Sequence, residues 1–325
     1  MAPPDKQAKL RKQTKLRKQA KGLRIAILSR KRTLYTTRRL VEAAKARGHR
    51  PLVLDTLRCS LVLEKGAPGL LYGGEPLGPL DVVIPRIGAS ITPYGLAVVN
   101  QLDMMGVPVL NNSVPIARSR DKLRCLQLLA RFGLDIPRTV MTNQKAEVSI
   151  ALRRIGGLPA ILKLIRGTQG VGVMIAHTQE EIEGILDTMT DLGQEILLQE
   201  FIHESRGRDI RVLVLGDRVV AAMRRTAKAG EFRSNLHRGG EGKPVKLTAA
   251  YTDIAIEATR VMGLELAGVD LLETKQGPKV MEVNSSPGFE GLEKASQLDI
   301  AGLIIDHAAQ FAGAHATGFS RQRLI

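Results

Sequence analysis

The first third of the chain alternates short, mostly apolar segments with longer amphipathic ones. Apolar runs that are typical of buried parallel strands occur at 23–28, 51–54, 81–85 and 107–110. Between them, apolar residues recur at helical spacing, first before Gly48 and again over about 94–105. Strands that alternate with helices predict a small doubly wound α/β domain over residues 23–115.

The pattern changes in the remainder of the chain. Leucines at helical spacing predict a helix over 121–133. Further helices are predicted near 147–155 and 249–262, and closely spaced strands at 160–165, 194–202, 209–215 and 218–223. The runs 267–273 and 279–284 face each other across TKQGP as a hairpin. Antiparallel strands with covering helices predict an α+β domain over 116–312, followed by a short C-terminal tail at 313–325.

Composition restricts the class of protein. The chain has 325 residues, of which 44% are hydrophobic and 25% charged, so it is long enough for two globular domains. No apolar run approaches the roughly 18 residues of a membrane-spanning helix, which excludes an integral membrane protein. Cys59 and Cys125 are the only cysteines, so a disulfide framework and a cysteine-based zinc site are excluded. We therefore expect a cytoplasmic protein.

The charge is strongly basic, with a net value of +16, and much of it is local. Residues 1–22 hold eight lysines and arginines against Asp5, and the pentapeptide KLRKQ occurs at 9–13 and again at 15–19. The segment contains almost no apolar residues and therefore cannot form a core, which predicts a disordered basic extension. Two interpretations stay open, namely an arm that contacts an anionic partner such as ribosomal RNA and a merely solvated extension.

The last hairpin carries three oxygen-bearing side chains. If its turn is centred on Gln276, Asp270 stands opposite Glu282, and Asn284 lies on the same face two residues further on. Two opposed carboxylates repel each other, so a cation is expected between them. Hard oxygen ligands favour Mg²⁺ or Mn²⁺. The alternative is a solvated acidic edge, which the apolar neighbours of these residues disfavour.

A glycine-rich segment follows a lysine in an apolar strand. Lys163 precedes RGTQGVGV, in which Gly167, Gly170 and Gly172 recur between two apolar segments. Backbone N–H groups of such a turn can close over phosphate oxygens, and an ammonium in an apolar strand is expected to meet an anion. An ordinary hairpin is the alternative.

A third polar segment, RSNLHRGG at 233–240, is rich in hydrogen-bond donors. Arg233, Asn235 and Arg238 are candidates for holding a carboxylate or a phosphate, whereas His237 has no partner motif and is interpreted as an ordinary polar residue. No Ser-His-Asp or Cys-His arrangement is evident. Nucleophilic catalysis by a side chain is therefore not expected.

Together, the lysine, the glycine-rich hairpin, the QE strand end at 199–200 and the D…ExN hairpin resemble the ATP-grasp carboxylate–amine ligases. Longer segments, among them VIPRIGASIT, EFRSNLHRGG and AGVDLLETKQGPKVMEVNSSPG, are similar to the RimK family of glutamate ligases. The resemblance covers about 24–312. It implies an ATP-grasp fold with an N-terminal pre-ATP-grasp domain.

The resemblance also implies a role for individual residues. Nucleotide binding is expected of Lys122, Lys163, Gly167, Gly170, Gly172, Glu200, Phe201, Asp209, Arg233, Ser234 and Asn235. Within that set, the two lysines contact phosphates, Glu200 and Phe201 border adenine, and Asp209 lies beside the ribose. Two Mg²⁺ or Mn²⁺ ions are expected on Asp270, Glu282 and Asn284, and catalysis is expected of Arg211 and Lys163.

The function implied is ATP-dependent, ADP-producing addition of L-glutamate to the C-terminus of small-subunit ribosomal protein S-six, through an acyl phosphate. A homo-oligomer, ribosome or ribosomal RNA contact through the basic extension, and no membrane contact are expected. One alternative is a related ligase with a different small-molecule or carrier-protein acceptor. The other is a non-catalytic RNA-binding protein, which the aromatic content of 3% and the absence of tryptophan disfavour.

Overall fold

The computed structural model of the chain describes residues 22–165, 172–228 and 239–317. The strands are β1 Arg24–Leu28, β2 Arg50–Leu54, β3 Cys59–Val62, β4 Gly69–Tyr72, β5 Glu75–Pro76, β6 Val82–Pro85, β7 Thr139–Met141, β8 Ala160–Leu164, β9 Val173–Ala176, β10 Ile196–Glu200, β11 Arg208–Leu215, β12 Arg218–Thr226, β13 Glu241–Pro244, β14 Leu266–Thr274 and β15 Gly277–Asn284. The helices are α1 Tyr35–Ala46, α2 Thr92–Met104, α3 Ser113–Arg120, α4 Lys122–Arg131, α5 Val148–Ile155, α6 Gln179–Asp191, α7 Ala249–Met262, α8 Glu290–Ser296 and α9 Ile300–Thr317. None of the described helices is both long and apolar enough to cross a membrane.

The chain divides into two compact units. Among the described residues, 22–113 and 299–317 form the first unit, and those within 114–298 form the second. The sequence analysis placed residues 299–312 with the second domain, whereas α9 packs on α1 and β6 of the first unit. Polar contacts add to this packing, because the Arg47 guanidinium donates to Asp306 at 2.6 Å and to Asp299 at 3.2 Å.

The first unit is built on a parallel sheet of order β2-β1-β6. The predicted α/β class is confirmed, but the predicted strand at 107–110 is wrong, because the segment forms a single bridge between Val109 and Val83. Pro108 lacks the N–H that a longer ladder needs there. The antiparallel sheet β3-β4-β5 was not predicted, because its strands are too short to show a clear alternation.

The second unit contains two antiparallel sheets, which confirms the α+β prediction. One sheet has the order β7-β10-β8-β9 and packs on α5 and α6. The other has the order β13-β12-β11-β14-β15, and one of its faces packs on α4 and α7. The opposite face of this five-stranded sheet is the polar one.

The β14–β15 hairpin has a register that the sequence predicted for only part of its length. Asp270 pairs with Glu282 as predicted, whereas Thr274 pairs with Gly277 across a shorter turn than predicted. The register shifts by one residue between Asp270 and Leu271, because Met281 is an extra residue on β15. This shift explains why the Asp270–Glu282 pair is as predicted although the turn is shorter. This β-bulge places both carboxylates side by side on the polar face.

Candidate active site

The polar face of the five-stranded sheet carries one row of residues from four adjacent strands. Met223 of β12 pairs with Arg211 of β11, Arg211 with Asp270 of β14, and Asp270 with Glu282 of β15. The residues that alternate with them, such as Val269 and Val283, lie in the core against α4 and α7. Strand alternation therefore separates the charged face from the apolar one.

Asp270 lies in the centre of this row and is only 2% exposed. Arg211 donates to it from Nε at 2.7 Å and from Nη2 at 2.6 Å, and Arg225 approaches its Oδ2 at 3.0 Å. Burial acts to raise the pKa of Asp270, but the two guanidinium groups outweigh burial and lower it. Two arginines of the chain thus neutralise Asp270, whereas the metal ion that the sequence argument expected between Asp270 and Glu282 stays a prediction.

Arg225 also holds Asp209, the residue that the family resemblance places beside the ribose. The guanidinium donates to both carboxylate oxygens, at 2.6 and 2.7 Å, and Asp209 is 2% exposed. Both oxygens are therefore occupied, and the ribose contact stays a prediction. Sequence reasoning missed Arg225, although an arginine at an alternating position of an otherwise apolar strand is a signal for a buried ion pair.

Glu282 and Asn284 have different surroundings from Asp270. Within the described residues, the Glu282 carboxylate has no hydrogen bond and no ion pair, while Asn284 donates from its side-chain nitrogen to the Gly268 carbonyl at 3.4 Å. The oxygen of the Asn284 amide is then available to a ligand. The Glu282 carboxylate and the Asn284 amide oxygen fit the hard ligands that Mg²⁺ prefers. Both oxygens of Asp270 are bonded by arginines, so a metal contact of Asp270 stays a prediction.

The protein supplies only a partial coordination shell. No group of three or more His, Cys, Asp and Glu side chains that could hold a metal is found in the described residues. Mg²⁺ usually completes its shell with water and substrate phosphates, so this donor set fits an ion that arrives with a nucleotide.

Two lysines from other elements lie near Glu282. Lys163 is on β8, and Lys122 is the first residue of α4. The Lys122 ammonium donates to the carbonyls of Leu164 at 3.1 Å and Ile165 at 3.3 Å. Burial lowers the pKa of Lys122 and lowers that of Lys163 to about 8, and in both cases the charge of Glu282 acts in the opposite direction. Lys163 has no hydrogen bond or ion pair in the described part of the chain.

These contacts bring four predicted site residues together, namely Lys122, Lys163, Asp270 and Glu282. Lys122, Lys163 and Arg120 all interact electrostatically with the Glu282 carboxylate, and Lys163 has no hydrogen bond or ion pair among the described residues. An ammonium in such a site gains most from an added anion. The arrangement therefore suits phosphate oxygens and their metal ions.

Glu200 is the last residue of β10, in the four-stranded sheet. Its carboxylate accepts from the Arg138 guanidinium at 2.9 Å, from the Arg138 backbone N–H at 3.0 Å and from the Lys279 ammonium at 3.3 Å. Partial burial acts to raise the pKa of Glu200, but the Arg138 and Lys279 contacts lower it to about 2. The next residue, Phe201, stacks edge-on against His203 at 4.8 Å. Sequence reasoning missed both cations.

The remaining predicted residues belong to two loops. Gly167 and Gly170 lie outside the described residues, as do Arg233, Ser234, Asn235, His237 and Arg238. Gly172 is described and has a φ of +76°, and a Cβ there would lie 2.6 Å from the Leu164 side chain. Only glycine fits this position, where its carbonyl accepts from the Leu164 N–H at 2.8 Å.

An open groove of about 700 Å³ lies apart from these residues. Its lining includes Phe132 and Asp135 after α4, Asp217 between β11 and β12, and Asp253 and Glu257 of α7. None of the predicted site residues lines it. The groove therefore does not belong to the candidate site.

Comparisons with known proteins agree with this geometry. The RimK-like ATP-grasp domain family matches residues 119–308, and the RimK pre-ATP-grasp domain family matches residues 23–116. A probable alpha-L-glutamate ligase of Cellvibrio japonicus is 51% identical over 290 residues, which are 89% of this chain and 96% of the relative. A probable alpha-L-glutamate ligase of Vibrio vulnificus is 51% identical over 284 residues, which are 87% of this chain and 94% of the relative.

A solved structure shows the same fold. The ATP-grasp ligase PsnB, complexed with a minimal precursor, Mg and ADP, superposes with a TM-score of 0.70 at 22% identity and covers 89% of this chain and 98% of its own. The protein belongs to the RimK family of ATP-grasp ligases, which are ATP-dependent carboxylate–amine ligases.

Proposed function

We propose that this protein adds L-glutamate to the C-terminus of small-subunit ribosomal protein S-six, with ATP and two Mg²⁺ or Mn²⁺ ions. The observation that carries the nucleotide part is the meeting of Lys122 and Lys163 with the Asp270 and Glu282 pair. The relatives named as alpha-L-glutamate ligases support glutamate as the added amino acid. The acceptor rests on the family resemblance.

The first step of the proposed reaction activates the acceptor. A carboxylate oxygen of the acceptor attacks the γ-phosphorus of ATP, and the bond to the β-phosphate oxygen breaks, which gives an acyl phosphate and ADP. Lys122 and Lys163 hold the negative phosphoryl oxygens. Ions bound by Asp270, Glu282 and Asn284 would neutralise further charge on the phosphates.

In the second step the amine of free L-glutamate attacks the acyl carbon. The amide bond forms, the bond to the phosphate oxygen breaks, and inorganic phosphate leaves with the amine losing a proton. Arg211 is suited to stabilise the charge on the attacked group, because its Nε and Nη2 are held by Asp270 while Nη1 has no partner in the described residues. A fixed guanidinium costs little reorganisation during the reaction.

The second candidate acceptor is a different peptide, because the PsnB structure is a complex with a precursor peptide. Peptides other than the S-six C-terminus are therefore the main competitors. The proposed chemistry is the same for both acceptors, and only the peptide that gains mass differs.

The test offers the purified protein ATP, Mg²⁺ and labelled L-glutamate with one of three peptides. These are the S-six C-terminal peptide, the same peptide with a C-terminal amide, and a scrambled peptide with a free carboxylate. We expect ADP release and glutamate-sized mass gains on the first peptide only. Equal gain on the scrambled peptide would favour the broader acceptor class, and ADP without any gain would overturn the acceptor proposal.

The basic extension is proposed to contact the ribosome or its RNA, in a cytoplasmic homo-oligomer. Removal of residues 1–22 deletes none of the candidate site residues, so turnover of a short peptide should stay unchanged. Ribosome association should weaken and lose part of its salt dependence. Equal salt slopes for the two chains would instead support a solvated extension, and light scattering would give the oligomeric state.

A further inference from the structure

The contact between Lys279 and Glu200 joins the two sheets of the second unit. Glu200 is the last residue of β10 in the four-stranded sheet, and Lys279 lies on β15 in the five-stranded sheet. Both side chains are mostly buried, with 17% of Glu200 and 19% of Lys279 exposed. The ion pair is therefore less screened than a surface pair.

Glu200 is fixed from the other side as well. Arg138, directly before β7, donates to its carboxylate from both the guanidinium and the backbone N–H, and the Arg138 carbonyl accepts from the Glu200 N–H at 2.8 Å. The carboxylate thus has one partner within its own sheet and one in the other sheet. Lys279 is the partner in the other sheet.

The bulge at Met281 makes this contact possible. In a regular strand, Lys279 and Glu282 would point to opposite faces, because they are three residues apart. The extra residue reverses the alternation after Met281, so Val280 and Val283 both lie in the core, while Lys279 pairs with Leu272 and Glu282 with Asp270, two residues apart on β14. One strand therefore presents a lysine to Glu200 and a carboxylate to the metal site.

We propose that Lys279 is a positioning residue that couples nucleotide binding to metal placement, by tying the strand end beside the base to the hairpin that carries Glu282. The proposal rests on the proposed nucleotide site, because it takes the base to lie against Glu200 and Phe201. In this proposal Lys279 acts through Glu200 and requires no contact of its own with ATP or metal. A nucleotide that orders the end of β10 holds β15 in register through Lys279, and ions on β15 favour the nucleotide through the same contact.

The test measures ADP affinity by calorimetry with and without Mg²⁺, for the wild-type protein, Lys279→Met and Lys279→Arg. In the wild type, Mg²⁺ should tighten ADP binding. In Lys279→Met this enhancement should fall about tenfold, which corresponds to ~1.4 kcal/mol. Lys279→Arg should restore most of it, since the cation is kept. Lys279→Gln, which keeps a donor without charge, should lose the enhancement in the same way and replaces Lys279→Met if that variant does not fold.

Two controls make the test specific. Lys243→Met removes a lysine of the same sheet whose pair with Glu241 is exposed, with side chains 72% and 69% accessible, and it should change nothing. Glu200→Gln should reproduce the loss, and the double variant with Lys279→Met should be no worse than either single variant.

An unchanged Mg²⁺ enhancement in Lys279→Met would overturn the inference, as would additive losses in the double variant. Failure of the proposed function has a different signature. In that case the wild type either does not bind ADP or binds it without adding glutamate to any peptide, and the second of these results leaves the coupling measurement valid.

Discussion

Two aspartates of the five-stranded sheet and a lysine of the four-stranded sheet differ in how their charge is balanced. On the five-stranded sheet, Asp209 and Asp270 are each bonded by an arginine at 2.6–2.7 Å. On the four-stranded sheet, Lys163 has no ion pair among the described residues, and burial lowers its pKa to about 8. The two buried aspartates are neutralised within their own sheet, whereas Lys163 presents a cation that still requires an anion.

This difference separates structural charge from functional charge. A buried ion pair that is complete needs no ligand, and removing one partner leaves a costly uncompensated charge. An ammonium without a partner is costly in the free protein and is stabilised when an anion binds. The first arrangement should therefore govern stability, and the second should govern nucleotide binding.

The largest effect on stability is expected for Arg225→Met. The substitution leaves Asp209 without the guanidinium that bonds both of its oxygens, so the free energy of unfolding should fall by about 3–5 kcal/mol, as measured by urea denaturation. Arg224→Met is the matched control on the same strand, because its pair with Glu273 is 41% exposed on the arginine side, and it should cost no more than about 1 kcal/mol. Equal losses would contradict the distinction between a buried and a partly exposed ion pair.

The largest effect on activity without a loss of stability is expected for Lys163→Met. ADP formation should fall about 10²- to 10³-fold, because a charge on the phosphoryl oxygens is removed. The melting temperature of the free protein should stay the same or rise, since a desolvated ammonium is lost. Lys145→Met, an exposed lysine paired with Asp187 at 3.0 Å, should change neither quantity. A clear fall in melting temperature with full activity would reverse the assignment.

A smaller effect is expected in the acid stability of the protein. The pKa of Glu200 is about 2 in the folded protein, below its ordinary value of 4.5, so its ionised form stabilises the fold at neutral pH. That contribution is complete above about pH 4.5 and is lost as the pH falls towards 2. The stability difference between wild type and Glu200→Gln, measured by urea unfolding, should therefore shrink from pH 5 to pH 3. A difference that is constant over this range would show that the pKa is not depressed.

Part of the site could be predicted from the sequence because it is local. Asp270 and Glu282 lie on one hairpin, so alternation and the position of the turn are enough to pair them. The pairing was correct although the turn is shorter than predicted, because the bulge at Met281 compensates. A bulge of this kind leaves no clear mark in the pattern of apolar residues.

The missed ion pairs depend on the register of the β11–β12 hairpin and on a contact between distant parts of the chain. Arg225 meets Asp209 only through the β11–β12 register, and Lys279 meets Glu200 from 79 positions away. The prediction of a strand at 107–110 is wrong for the opposite reason. Its apolar run is typical of a strand, but Pro108 limits the segment to one bridge. Local pattern therefore gives the elements and the hairpin site, but not the ion pairs that hold them.

The central claim is that Glu282 belongs to a phosphate and metal site shared by the two sheets. The decisive measurement is ADP release by Glu282→Gln beside the melting temperature of its free form. Because Asp270 is already neutralised by two arginines and Glu282 faces Lys122 and Lys163, we expect stability to be unchanged or slightly lower and turnover to fall by orders of magnitude. A Glu282→Gln protein with full activity would contradict the account.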